Sequence, residues 1–173
     1  MIDKIGIAIL TMFGIGRSKF APGTLASLVT CLLYFLFFFY KPNYILVIII
    51  FLIFSIYSIV LIDRLEKKFS KKDPREIVID EFIGQSIPII VIYTAVNVTG
   101  SINEDWNTKV NFLSMSFLII FLLFRFFDIL KPFPINIIDK KLKNGLGVVL
   151  DDVVAGIYTT LIYFIAYYLY YGK

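Results

Sequence analysis

The chain has 173 residues, of which 59% are hydrophobic and 17% charged, with a mean hydropathy of +0.85 and a formal net charge of +4. That composition excludes an ordinary soluble globule, and no nucleic-acid partner is expected. The absence of histidine removes the usual proton shuttle and the commonest metal ligand, so any catalysis rests on carboxylates, Lys, Arg, hydroxyls or a metal-bound water.

From the N-terminus, Met1–Gly16 lacks the charged, apolar and small-residue succession of a cleavable signal. Lys4–Phe13 reads as a short interfacial or re-entrant piece. Gly14–Thr24 is a glycine-rich loop containing Arg17 and Lys19. Glycine-rich backbone before a helix start can offer N–H groups to an anion, although a loop with a Thr24 cap explains it equally well. Spans of about 20 apolar residues are needed to cross a bilayer core. Thr24–Tyr40 is a slightly short one, and its Cys31 lies in an apolar run as a buried filler. Tyr44–Ile62 is the clearest. Asp73-Pro74-Arg75-Glu76 has the spacing of a capped helix start. The third span, Ile77–Val98, then carries Asp80 and Glu81 one to two turns inside that helix. Asp80, Gly84 and Pro88 share one row, with Glu81 and Gln85 in the next.

Phe112–Leu130 is the fourth span. Arg125, Asp128 and Lys131 recur at its end every third residue, on one face, before the helix-ending Pro132. They read either as an intrahelical ion pair with a snorkelling lysine, or as a carboxylate for a metal with two cations for phosphate oxygens. Val148–Tyr171, the fifth span, opens on Asp151 and Asp152, which point about 100° apart on a helix. One suits direct ligation and the other a second metal or a ligating water. Asp152, Gly156 and Thr159/Thr160 make a small, polar row suited to close helix contact.

The expected fold is therefore all-α, a polytopic membrane bundle of about five embedded helices forming one domain over residues 1–173. Basic residues set its orientation. Lys4, Arg17 and Lys19 would lie on the N-terminal side, as would the run from Arg64 to Arg75 and the set Arg125, Lys131, Lys140, Lys141 and Lys143. Only Lys41, Lys109 and Lys173 remain for the other side. The N-terminus is thus expected to be cytoplasmic and the C-terminus outside. Asp80, Glu81, Asp128, Asp151 and Asp152 fall at the cytoplasmic helix ends, whereas Glu104 and Asp105 lie in the far loop. Carboxylates so gathered repel unless a cation is shared. With oxygen ligands alone the expected metal is Mg²⁺, and the neighbouring Lys and Arg point to a phosphate-bearing lipid. A small cation channel or transporter is the alternative. Against it, the acidic residues sit at the span ends and not near the midplane.

Four segments in order resemble the phosphatidylglycerophosphatase A family: APGT at Ala21–Thr24, DPREIVIDEFIGQ at Asp73–Gln85, FRFFDILKPFPI at Phe124–Ile135, and GLGVVLDDVVAGI at Gly145–Ile157. The resemblance implies a Mg²⁺-dependent phosphomonoesterase of the bacterial cytoplasmic (inner) membrane, with its active site cytoplasmic. Such an enzyme converts phosphatidylglycerophosphate to phosphatidylglycerol and inorganic phosphate. Ala26 departs from the glycine expected just after APGT, which loosens the phosphate-loop assignment. Other lipid-phosphate chemistries fit less well. Histidine-dependent phosphatases are excluded, a Cys-x5-Arg loop would need arginine where Phe37 stands, and neither an Asp-x-Asp-x-Thr motif nor the long Asp/Gly pattern of CDP-alcohol phosphotransferases occurs.

The expected site has Asp80, Glu81, Asp128, Asp151 and Asp152 as metal ligands. Asp80, Glu81, Asp128, Lys131 and Asp152 are the expected catalytic set. Arg125 and Lys131 would clamp the phosphate, helped by Lys19, Gly23 and Thr24. Hydrolysis would use either a metal-activated water or an aspartyl-phosphate. Oligomeric state is left open.

Overall fold

Every element is helical among the residues that the computed structural model describes, namely 2–38, 40–69, 75–99, 106–142 and 144–171. In chain order they are α1 (Ile2–Leu10), α2 (Pro22–Phe38), α3 (Tyr44–Leu65), α4 (Ile79–Thr99), α5 (Trp106–Leu130), α6 (Ile135–Lys141) and α7 (Gly145–Tyr171). Four of these contain stretches long and apolar enough to cross a membrane: Tyr44–Leu65, Ile79–Val98, Val110–Leu130 and Gly145–Tyr170. Helix α2 has 17 residues, about 25 Å at 1.5 Å per residue, which falls short of a hydrocarbon core of roughly 30 Å. The expected five embedded helices are thus four of full length and one shorter.

Helix α3 is apolar on every side because much of it has no protein neighbour. Ile49, Ile53, Ile56 and Val60 are all exposed, and a surface of this kind suits lipid. Its start is fixed by Asn43, whose Oδ1 accepts the Ile45 and Leu46 N–H groups at 2.9 and 3.2 Å. Helix α4 is the centre of the bundle, packed against α2, α3, α5 and α7.

The α4–α7 contact depends on two glycines. A Cβ on Gly84 would meet the Asp152 carbonyl oxygen at 2.6 Å, and one on Gly156 would meet the Gly84 carbonyl oxygen at 2.4 Å. Pro88 explains why that carbonyl is available, since it has no N–H to return to the residue four positions earlier. The chain thereby brings the backbone of α7 onto an α4 carbonyl that lacks its usual donor four residues on. Apolar clusters hold the rest. Leu10, Leu65, Val78 and Ile83 pack at one end. At the other, Phe38 stacks on Tyr93 with centroids 3.8 Å apart beside Phe117 and Tyr163.

Three local expectations need correction. Helix α4 begins at Ile79, so Asp80 and Glu81 occupy its first turn and are not one to two turns inside it. The reason lies in Ile77 and Val78, which are buried and non-helical. The Val78 N–H donates to the Leu10 carbonyl at 3.0 Å, a bond that a helical Val78 would direct into its own helix. Asp73 and Pro74 lie outside the described residues. Lys131 does not continue the α5 row either, because it follows the last helical residue with φ 44. Finally, α6 was not anticipated; with only seven residues it is too short to show a period.

Candidate active site

The first turn of α4 and the second turn of α7 face each other across the Gly84–Gly156 contact. Asp80, Glu81 and Asp152 each bring a carboxylate oxygen to within 4.8 Å of the other two. Asp152 is 3% exposed. Asp80 Oδ1 and Glu81 Oε2 are shielded from solvent and have no hydrogen-bond partner. Buried carboxylate oxygens are ordinarily satisfied. Mutually repelling, unpartnered oxygens at this spacing therefore fit a hard divalent cation with oxygen ligands.

The other two expected ligands have partners of their own. Asp128 Oδ2 lies 2.6 Å from Arg125 Nη1, one turn back on α5. Asp151 Oδ2 accepts from Lys131 Nζ at 2.8 Å, and its Oδ1 accepts the Asp152 N–H at 3.1 Å. Both stand close enough to the cluster to act on it electrostatically: Asp128 on Glu81 and Asp152, Asp151 on Asp80 and Asp152. The intrahelical ion pair read from the α5 spacing is thus present. Lys131 does not snorkel, because the left-handed turn at its own residue aims it at α6 and α7.

Lys131 Nζ also lies 2.8 Å from Asp139 Oδ1 on α6. Burial alone would depress the lysine; the hydrogen bonds to Asp139 and Asp151 outweigh it and hold Lys131 above its ordinary range. Asp139 was not among the residues picked from sequence. It belongs to an unanticipated helix, and the sequence reading did not single it out.

Helix α2 supplies the third wall through its first turn. Gly23 is buried, and a Cβ there would meet Glu81 Oε1 at 2.0 Å and Arg125 Nη1 at 3.4 Å. Arg125 Nη1 also donates to Ser27 Oγ at 3.4 Å. Ala21 takes φ 39 and turns the chain so that Pro22 begins the helix, a position proline suits. Thr24 is half-buried two residues into α2, so it lies within the helix and does not cap it. Lys19 is exposed, and among the described residues no ion pair ties it to the carboxylates. Arg17 reaches Glu76 at 4.0 Å. Gln85, one turn along α4 from Glu81, is fully buried with both amide atoms unpartnered. Its row was legible in sequence, but its isolation was not.

Helix α7 is set in place from outside the cluster. Asn144 Oδ1 accepts the Gly147 N–H at 3.0 Å, and Asp63 of α3 accepts the Gly145 N–H at 2.5 Å. The site thus offers a carboxylate cluster for a cation, a guanidinium and an ammonium at its rim, and a helix start on one wall. That combination suits a phosphate ester bound through a divalent metal.

The phosphatidylglycerophosphatase A family model matches residues 8–167. A Haemophilus influenzae phosphatidylglycerophosphatase A is 41% identical over 96 residues, which are 56% of this chain and 48% of that protein. The matched part thus spans about half the length of that relative. A Bacteroides thetaiotaomicron protein provisionally named phosphatidylinositol-3-phosphatase is 30% identical over 163 residues, 92% of each chain. The Escherichia coli phosphatidylglycerophosphatase A is 31% identical over 158 residues, 90% of this chain and 80% of that protein. No solved structure matches the chain.

Proposed function

This chain belongs to the phosphatidylglycerophosphatase A family, and on that premise we propose that it hydrolyses phosphatidylglycerophosphate to phosphatidylglycerol and inorganic phosphate. The reading places the reaction at the cytoplasmic face of the bacterial inner membrane, with Mg²⁺ held by Asp80, Glu81 and Asp152. One observation carries the metal assignment: those three carboxylates converge within 4.8 Å and leave two buried oxygens without a partner.

When bound, Mg²⁺ supplies Lewis-acid polarisation of a phosphoryl oxygen and lowers the pKa of a coordinated water. The chain's own residues supply the rest. Arg125, fixed by Asp128 at 2.6 Å, presents a guanidinium beside Glu81 that suits the phosphate oxygens. Lys131 adds an ammonium at the opposite rim. The start of α2 closes the side next to Glu81. Asp128 and Asp151 complete the negative field and keep both cations in place. An ion path is disfavoured because the carboxylates sit in the first two turns of α4 and α7 and not at mid-span.

The decisive assay is phosphate release from phosphatidylglycerophosphate in detergent micelles, with and without EDTA and Mg²⁺. Asp80→Asn should abolish the Mg²⁺-dependent rate, and full activity in that variant sinks the assignment. The name of the Bacteroides relative favours a second substrate, a phosphatidylinositol monophosphate, so both lipids belong in the assay. Sidedness is read by placing a cysteine at Lys67, which is exposed past the end of α3. A membrane-impermeant maleimide should label it in inverted vesicles and not in intact cells.

A further inference from the structure

Lys131 is held by two carboxylates that differ in position. Asp151 adjoins the acidic cluster, next in the chain to Asp152, and is 7% exposed, whereas Asp139 stands farther out on the short helix α6. Both oxygens lie 2.8 Å from Nζ. The backbone of Lys131 is left-handed, with φ 44. In a residue with a side chain this conformation persists only where surrounding contacts enforce it.

Contacts other than that of Asp139 also dock α6. Ile135 is 1% exposed in a cluster with Phe124 and Ala155, and the Tyr158 hydroxyl donates to the Phe133 carbonyl at 2.9 Å. Those contacts already pin both the helix and the turn before it. What Asp139 adds is a counter-ion for Lys131 that a metal in the cluster does not use.

We propose that Asp139 is a positioning residue: it anchors the Lys131 ammonium at the rim of the carboxylate cluster, so that Asp151 can turn to a divalent cation while Lys131 stays turned toward the phosphate. The inference rests on the phosphatase reading above. With Asp139 neutralised, Asp151 is the carboxylate left to the ammonium. Lys131 then sits deeper in the cluster, competes with the divalent cation and withdraws from the substrate.

The test combines Asp139→Asn, Asp139→Glu, Lys131→Met and the Asp139→Asn/Lys131→Met double variant. Mn²⁺ affinity is measured by electron paramagnetic resonance in lipid-free micelles, and KM and kcat are measured on the phospholipid. Asp139→Asn should weaken Mn²⁺ binding and raise KM, each about three- to tenfold, within the coupling range of residues in direct contact; kcat should stay within about twofold. Asp139→Glu should restore both. In the Lys131→Met background, Asp139→Asn should have no further effect. Equal loss of Mn²⁺ affinity in both backgrounds would show that Asp139 acts only as a distant charge and overturn the proposal. So would a Glu variant as impaired as the Asn variant. A wild-type protein that neither binds Mn²⁺ nor releases phosphate removes the phosphatase reading, and this inference with it.

Discussion

Replacing Gly23 with alanine separates the catalytic geometry from the fold. The added Cβ would stand 2.0 Å from Glu81 Oε1 and 2.9 Å from its Cδ, with Arg125 Nη1 at 3.4 Å on the other side. Ordinary contact begins at 3.4 Å, so the carboxylate has to withdraw by about 1.4 Å. Glu81 lies at the end of a flexible side chain, and its movement strains little backbone. Alanine also favours a helix over glycine by up to about 1 kcal/mol. The melting temperature should therefore hold or rise slightly. A misplacement of about 1 Å at a reacting centre costs on the order of 10²-fold in rate, and the expected loss of phosphate release is of that size. Gly84→Ala is the control of opposite character, since its Cβ meets the Asp152 carbonyl oxygen at 2.6 Å and the Phe124 ring at 2.7 Å. Neither the backbone nor a fully buried ring yields readily, so that variant should lose about 1–3 kcal/mol of stability. Thermal melts in micelles beside phosphate release at saturating Mg²⁺ compare the two. Wild-type activity in Gly23→Ala would refute the placement of Glu81 in the reaction. A stability loss matching that of Gly84→Ala would refute the claim that the clash is confined to a side chain.

Asp152→Asn should abolish activity yet stabilise the metal-free protein. Two like charges within 4.8 Å of each other repel by about 3.5 kcal/mol or more at an effective dielectric of 20; a lower metal-free melting temperature in the variant contradicts this. Gln85→Met should raise the melting temperature, because an apolar side chain of similar shape removes two unpartnered buried polar atoms at small packing cost. If the amide serves a bound water or ligand, activity falls in the same variant; a destabilised Gln85→Met refutes the isolation seen in the structure. Lys131, raised above its ordinary range by Asp139 and Asp151 against the effect of burial, contributes stability that is complete below the unfolded lysine value of about 10.4. That contribution is lost only as pH rises through the higher folded value. The melting-temperature gap between wild type and Lys131→Met should therefore stay level from roughly pH 6 to 9 and narrow only beyond about 10.4. A gap that closes in the neutral range would show that Lys131 is not held this way.

The membrane helices were legible because lipid imposes a long apolar run that no local detail disguises. Tyr44–Ile62 was read within three residues of α3. The start of α4 was misread for a local reason. Asp73, Pro74 and Glu76 have the spacing of a cap, but the register is decided by Val78, which bonds to Leu10 from a distant part of the chain. A sequence pattern carries no trace of that partner. The carboxylates were found because charge in an apolar run is conspicuous, yet their division was hidden. Spacing alone cannot tell that Asp128 is taken by Arg125 and Asp151 by Lys131 while Asp80, Glu81 and Asp152 remain together.

That division follows from where close backbone contact is allowed. Gly84 and Gly156 let α4 and α7 touch, which forces Asp152 against the first turn of α4 whatever the charges prefer. Gly23 lets α2 reach Glu81 in the same way. At the rim, Arg125 and Lys131 extend on long side chains and can choose partners, so the carboxylates they reach are neutralised. The metal-free fold therefore keeps its repulsion where the backbone is rigid and relieves it where side chains are mobile. A cation entering this site meets α4 and α7 backbones already held together by glycine contacts, so the reorganisation that binding drives falls to the side chains.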